Sequence, residues 1–316
     1  MSSINTNTAA MTALQSLTHT NKMLTETQGR IATGLRVAEA SDNAAYWSIA
    51  TTMKSDKASL STVQDALGLG ASMVDVTYTA MSSSINVVDQ IKSKLVAARE
   101  PGVDKTKIQA EISQLQKQLK GIADSASFSG QNWLSIDSSA AGFSATRSVV
   151  SSFNRTGTTV TVQTIDIDTS GMDLFDANPA ATNAGAGILD ANRTVSGTVD
   201  NTAATWSIFG LDISTLTDSL ADTTKLNSYI SGADTAIKEM TDAASSLGAI
   251  KSRIGLQQDF VKGLMDALDR GVGTLVDADM NEESTKLQAL QVQQQLGIQA
   301  LSIANSSTQT ILKLFQ

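Results

Sequence analysis

Few residues in this chain are placed to do chemistry. The run Asp166-Ile-Asp-Thr-Ser-Gly171 sets Asp166, Asp168, Ser170 and Gly171 at the first, third, fifth and sixth positions of a calcium-binding loop. The twelfth position, where such a loop needs a bidentate Glu, is Ala177, so a turn at a strand end is the reading that fits. Nucleophilic and metal chemistry need His, Cys or carboxylates that converge on one point. His19 is the single histidine, cysteine is absent and there is no His-Glu-x-x-His helix. The sequence therefore predicts no catalytic, metal or cofactor site and no enzyme. His19 is expected in a packed helical bundle. Lack of cysteine also removes disulfides, which suits an extracellular chain stabilised without crosslinks as well as a cytosolic one. Asn154-Arg-Thr156 and Asn192-Arg-Thr194 match glycosylation acceptors by pattern alone.

The chain has 316 residues, enough for about two domains. Its net charge is -8 and it has no Lys/Arg run, which argues against nucleic acid and acidic membranes as partners. No window of about 20 apolar residues is present, so no membrane insertion is predicted. The first residues lack the basic start and apolar core of a cleaved signal peptide, and a dedicated apparatus is expected for any export. Aromatic residues make up only 4% of the chain, so the core is expected in helix seams.

Those seams are clearest at the ends. Leu287, Leu290, Leu301, Ala304, Ile311 and Phe315 fall on alternating steps of three and four, with Gln294, Gly297 and Thr308 between them. Lys313 is the only charged residue in that stretch; Gln, Ser and Asn stand where a solvated face carries Lys and Glu. From Ser2 to Asn21 there is again no formal charge around Ile4, Met11, Leu14 and Leu17, and the apolar spacing continues through Leu24, Ile31 and Leu35. Buried amides need only hydrogen bonds, whereas buried charges need partners. Two such ends are expected to pair with each other and then with neighbouring copies of the chain.

Between them, Ser41 or Asp42 is expected to cap a long helix running through Met53, Leu60, Leu67, Val74, Met81, Val88 and Leu95 and stopped by Pro101-Gly102. Asp104 caps a third helix. A β-hairpin is expected near 144–167 with its turn at Asn154–Gly157, and Trp133 and Leu134 tuck under a preceding turn. Helical spacing resumes at Leu226 and breaks near Gly271 and Gly273. Met73, Met81, Met240, Met265 and Met280 fall near seam positions and are expected in the core. Gly68 and Gly70 inside the long helix suggest close approach of another element. The expected fold is mainly α: long coiled-coil helices from both ends of the chain packed into a rod, with a β-hairpin and a small inserted, loop-rich outer domain. The expected division is residues 1–43 with 272–316, residues 44–169 with 222–271, and a surface insert at 170–221.

The two ends also resemble the bacterial flagellin family. Ser3-Ile-Asn-Thr-Asn7 is similar to its opening, as are Arg30-Ile-Ala-Thr-Gly-Leu-Arg-Val37 and Ser41-Asp-Asn-Ala-Ala45. Leu247-Gly-Ala-Ile-Lys-Ser-Arg-Ile254, Asp277-Ala-Asp-Met280, Gln294-Gln295 and Ala304-Asn305 carry the likeness at the other end. Tyr46-Trp47 departs from the Gly-Leu usual there, and Lys313 and Gln316 depart in the ending. With its short insert, the chain resembles the flagellins of soil alphaproteobacteria.

The resemblance implies an extracellular filament subunit for motility, exported unfolded by the flagellar type III apparatus and polymerised at the tip. It implies an inner tube of terminal helices, an outer tube of long helices and an exposed insert. The partners implied are other copies, other flagellins, hook-associated and cap proteins, the export apparatus and its chaperone. A hook-associated junction protein or another exported coiled-coil adhesin shares the charge-poor ends and stands as the alternative. Glu26, Arg30, Arg36, Arg253, Asp277 and Asp279 are expected in ion pairs between subunits. In the family, a surface recognised by the vertebrate flagellin receptor carries an Arg, a Glu and a Leu on the second helix; the matching positions here are Ile91, Lys94 and Leu95, which implies weak recognition.

Overall fold

The computed structural model describes residues 7–157, 159–178, 187–193 and 206–314, with side chains to 306 at the far end. It is mainly helical, as expected. Five helices, α1 (Thr8–Thr33), α2 (Ala44–Ala97), α3 (Lys105–Ser125), α4 (Leu220–Val276) and α5 (Met280–Leu314), carry most of the chain. Among the described residues between α3 and α4 lie the strands β1 (Ser127–Phe128), β2 (Gln131–Asn132), β3 (Ser135–Ile136), β4 (Thr146–Thr156), β5 (Thr159–Asp168) and β6 (Phe175–Asp176). β1 pairs with β2 and β4 with β5, both antiparallel, while β3 and β6 pair in parallel.

Local chemistry sets the helix ends. Asn7 accepts from the Ala10 N–H at the start of α1, and Gly34, at φ 71°, closes its end by donating to the Arg30 carbonyl. The cap of α2 is Asn43, whose Oδ1 accepts from Ala45 and Tyr46. Asp42, one of the two caps expected, instead holds the N–H groups of Ala38 and Glu39 in the preceding loop. Asp104 caps α3 through the N–H groups of Thr106 and Lys107. At α4, Ser219 Oγ accepts from the Asp222 N–H, and the Asp222 carboxylate accepts from the Thr217 N–H and hydroxyl. α4 runs unbroken through Gly271 and Gly273, contrary to the expected break; the interruption falls at residues 277–279, where Asp279 caps α5.

The chain divides into two compact units, one drawn from residues up to Ala58 and from Leu264 onward, the other from Ser59 to Gly263. The expected three-part division placed its boundaries elsewhere. Here the division falls inside α2 and α4, where neither a loop nor a change of composition marks it.

In the unit from Ser59 to Gly263, Leu60, Leu67, Val74, Met81, Val88 and Leu95 recur every seventh residue of α2, and Leu226, Ala233, Met240, Leu247, Ile254 and Val261 do so on α4; all are buried. Lys92 pairs with Asp234 at 2.5 Å and Lys251 with Asp75 at 2.6 Å, which sets these stretches antiparallel. Trp133 and Leu134 are buried beside them, and Ile112, Leu119 and Ala123 of α3 are fully buried. The hairpin lies on this frame. A Cβ on Gly70 would stand 2.5 Å from Val149 Cγ1, so the glycine makes room for β4. The register shifts around Ser151, whose carbonyl accepts from Gln257 Nε2 of α4 at 2.9 Å. The hairpin turn is tighter than expected, with Asn154 and Arg155 inside β4. Asp168 accepts from the Ser170 N–H and hydroxyl, a local turn at the run first weighed as a calcium loop.

The described part of the insert packs into the same unit. Leu174, Leu189, Ile208, Leu211 and Ile213 are buried, and Gln116 of α3 donates to the carbonyls of Ile208 and Leu211. Arg193 is fully buried, donating to the Ile188 carbonyl and to Glu239 of α4 at 2.7 Å.

In the other unit, Val37, Ala50, Val272 and Val276 form a small core with Leu35, Met53 and Leu275 around it. The Arg36 and Val37 N–H groups donate to the Val276 carbonyl and the Ala278 N–H to Gly34, so the links leading out of α1 and into α5 lie side by side. Met81 and Met240 are buried as expected, but Met280 is 46% exposed because it opens α5 beyond this core.

Candidate polymer interface

α1 packs along α5 in the first unit. From Leu287 onward the described residues of α5 turned from solvent are Leu287, Leu290, Gln294, Gly297, Leu301 and Ala304, in steps of three and four, and Leu290 is the most buried at 4% exposure. On α1 the covered positions are Ala10, Ala13, Leu17, Thr20, Met23, Leu24, Thr27, Arg30 and Ile31. This register differs from the one first expected. It places small and hydroxylic residues in the seam and moves Met11 and Leu14 outward, at 64% and 54% exposure. A threonine is tolerated there because its hydroxyl returns to its own helix, as Thr20 Oγ1 donates to the Ser16 carbonyl.

Polar contacts between described residues pin the pair. Asn7 Nδ2 donates to the Ala304 carbonyl at 2.9 Å, Gln294 Nε2 to Asn21 Oδ1 at 2.8 Å, and Arg30 meets Glu283 at 3.2 Å. A Cβ on Gly297 would sit 3.2 Å from Leu17 Cδ1, so the helices approach closely there. Glu283 is nearly buried, which makes its link to Arg30 a contact within the chain rather than the pair between subunits that was expected. Arg36 is exposed and donates to the Leu275 carbonyl of its own chain.

Behind the seam both helices carry uncovered apolar residues. Val292, Leu296, Ile298 and Ile303 of α5 are 54–69% exposed. Val292, Leu296 and Ile303 follow one another by four and seven, a second stripe on the back of the helix. The sequence reading named only the front stripe, although this spacing was there to be read. On α1, Thr8, Met11, Thr12, Leu14, Gln15 and Thr18 line an open hollow of about 550 Å³ with no charge in it.

The other anticipated residues fall out differently. Leu35 joins the small core with Val37. Ile311 lies within α5, its side chain outside the described set, as are Ile4 and Phe315 altogether. His19 is exposed on α1, not packed. Ile91 and Leu95 are fully buried in the α2 seam and cannot form part of a recognition surface; only Lys94 is accessible, and it pairs with Glu111 at 2.5 Å. Their seven-residue steps from Ser84 and Val88 carry them inward.

The sequence from 4 to 138 matches the bacterial flagellin N-terminal helical region, and that from 230 to 315 the bacterial flagellin C-terminal helical region. The chain belongs to the bacterial flagellin family. It is 52% identical to Flagellin C of Rhizobium meliloti strain 1021 and 44% identical to a flagellin of Brucella melitensis biotype 1, with both chains covered in full in each case. Flagellin A of the same Rhizobium strain is 44% identical over an alignment of 401 positions, so that flagellin carries length this one lacks. As a flagellin, the chain is a self-assembling structural subunit of the extracellular flagellar filament, and its paired terminal helices with apolar backs are suited to that role.

Proposed function

We propose that the uncovered faces of α1 and α5 are the surfaces through which this flagellin polymerises. The observation that carries the reading is the second apolar stripe of Val292, Leu296 and Ile303, set on a helix whose front is already occupied by α1. Burying one such side chain against a neighbour contributes about 1.5–3 kcal/mol. The uncharged surround of Gln291, Gln293, Gln295 and Gln299 can be covered without stranding an ion. In the free subunit, ordering these helices costs about 1–2 kcal/mol per residue, and a single seam weakly offsets it. The helices therefore fold fully on docking at the filament end, after export of the chain unfolded through the flagellar type III apparatus. Its export chaperone, the hook-associated proteins and the cap bind the same charge-poor ends. We assign the chain no catalytic role, in keeping with the lone, exposed His19 and the absence of cysteine.

The test is electron microscopy of short filament seeds incubated with the full chain or with a chain lacking Leu287–Gln316. The full chain elongates the seeds and the truncated one remains a folded monomer. Elongation by the truncated chain would overturn the reading, and a full chain that only caps the seeds would favour the junction protein.

A further inference from the structure

Three carboxylates meet where the insert packs onto the segment after α3. Asp173 and Asp176 are 8% and 9% exposed, and Asp190 is half-buried. They join three lengths of backbone. Asp176 Oδ1 accepts from the N–H groups of Ser138 and Asn178, tying β6 to the turn after β3. Asp190 Oδ2 accepts from the Asp176 N–H, tying 187–190 to β6, and the Asp173 carbonyl accepts from the Ile188 N–H. Each of two acids keeps one oxygen that is buried and unmatched: Asp176 Oδ2 and Asp190 Oδ1 have no donor. Buried acceptors of this kind are costly unless a proton reaches them.

The charged groups around them are otherwise engaged. Lys120 of α3 lies over the Phe175 ring, 5.1 Å from its centre, and is shared with Asp124 and Ser135. Arg193 is committed to Glu239 of α4. Asp137 holds the Ser139 N–H and hydroxyl, and Asp212 the Ser214 N–H. Among the described residues no ion pair reaches Asp173, Asp176 or Asp190.

We propose that Asp173, Asp176 and Asp190 form a proton-operated latch that holds the insert of this flagellin onto the segment after α3, closing when one proton enters the cluster and loosening when it leaves. The proton adds to Asp190 Oδ1 from solvent, no other bond breaks, and the buried oxygen no longer carries an unmatched charge beside Asp173 and Asp176. Burial first, and then the charges of Asp173 and Asp176, push the Asp190 carboxyl up to about 6. Burial and the Asp176 charge raise Asp173 as well, while against its own burial the Ser138 hydroxyl, then the amides of Ser138 and Asn178, hold Asp176 low. Because the Asp190 value lies above that of an unfolded carboxylate, the packed insert gains stability as the pH falls through 6 and loses it as the pH rises.

The measurement is amide hydrogen exchange on the full chain from pH 5 to pH 8, corrected for intrinsic rates. The amides of Asp176, Ile188 and Leu189 are expected to be up to about tenfold better protected at pH 5 than at pH 7.5, while amides of the α2 seam stay unchanged. Asp190→Asn is expected to show the acid-level protection at every pH. Asp173→Asn, which removes one charge and keeps a side-chain oxygen as acceptor, shifts the midpoint downward. Flat protection in the wild type, or an unchanged pH response in Asp190→Asn, would overturn the latch. So would protection restored at pH 7.5 by millimolar calcium without any response to acid, since the cluster would then hold a cation.

Discussion

Leu290 and Leu296 stand six residues apart on α5 and have opposite surroundings. Leu290 is 4% exposed against α1, and Leu290→Ala leaves a cavity costing about 2–5 kcal/mol. Because α1 and α5 fold fully only on docking, thermal dissociation of the assembled filament, not unfolding of the free subunit, should register that loss. Leu296 is 58% exposed, so Leu296→Asp is expected to leave the circular dichroism and the unfolding midpoint of the monomer unchanged. In the polymer its carboxylate would be buried without a partner, and the concentration needed for filament growth should rise by at least about tenfold. Normal growth would remove Leu296 from the interface. Gly70 yields a third test. Gly70→Ala forces its Cβ against Val149, and the resulting overpacking costs about 1–3 kcal/mol; Val149→Ala in the same chain should recover most of it, in a double-mutant cycle with a clear coupling term.

Among the elements, the start of α4 is sensitive to acid in the direction opposite to the insert. Hydrogen bonds from Thr217 pull the Asp222 carboxyl down to about 2. Its folded value lies below the unfolded one, so the cap is complete above the ordinary carboxylate range and is lost as the pH falls toward 2. Exchange of the first-turn amides of α4 should therefore accelerate in that window, and Asp222→Ala should show the fast exchange already at pH 7. Much at this scale was legible. Asp104 and Gly34 act where helix-end chemistry places them, and the hairpin emerges from its alternation. The cap of α2 was misplaced by one residue because Ser41, Asp42 and Asn43 are all good caps; only the loop's own need for an acceptor assigns Asp42 to Ala38 and Glu39. The break expected at Gly271 and Gly273 is absent because the covered Val272 and Val276 hold the helix together despite the low propensity of glycine.

Across the whole molecule the net charge of -8 makes identical subunits repel as they assemble. Raising the salt from about 20 mM to about 150 mM shortens the screening length from roughly 20 Å to 8 Å and should lower the concentration at which seeds elongate. Turbidity or sedimentation across a salt series would check this, and assembly weakened by salt would mean that attractive charge pairs rather than apolar stripes dominate the contacts.

The sequence by itself determined the helical class, the charge-poor ends, the hairpin and the absence of clustered His and Cys, because each is written in local spacing or in residue type. The tertiary structure decided which side of each helix is covered. Leu14 and Leu17 look alike in the chain, yet a pairing register built on Ala13, Thr20 and Thr27 partly covers Leu17 and exposes Leu14. It also decided that Ile91 and Leu95 lie inside, that Glu283 is paired within the chain, and that Asp173, Asp176 and Asp190 meet. Contacts between residues far apart in the chain have no local signature, and the free energy of a seam depends on both of its sides at once.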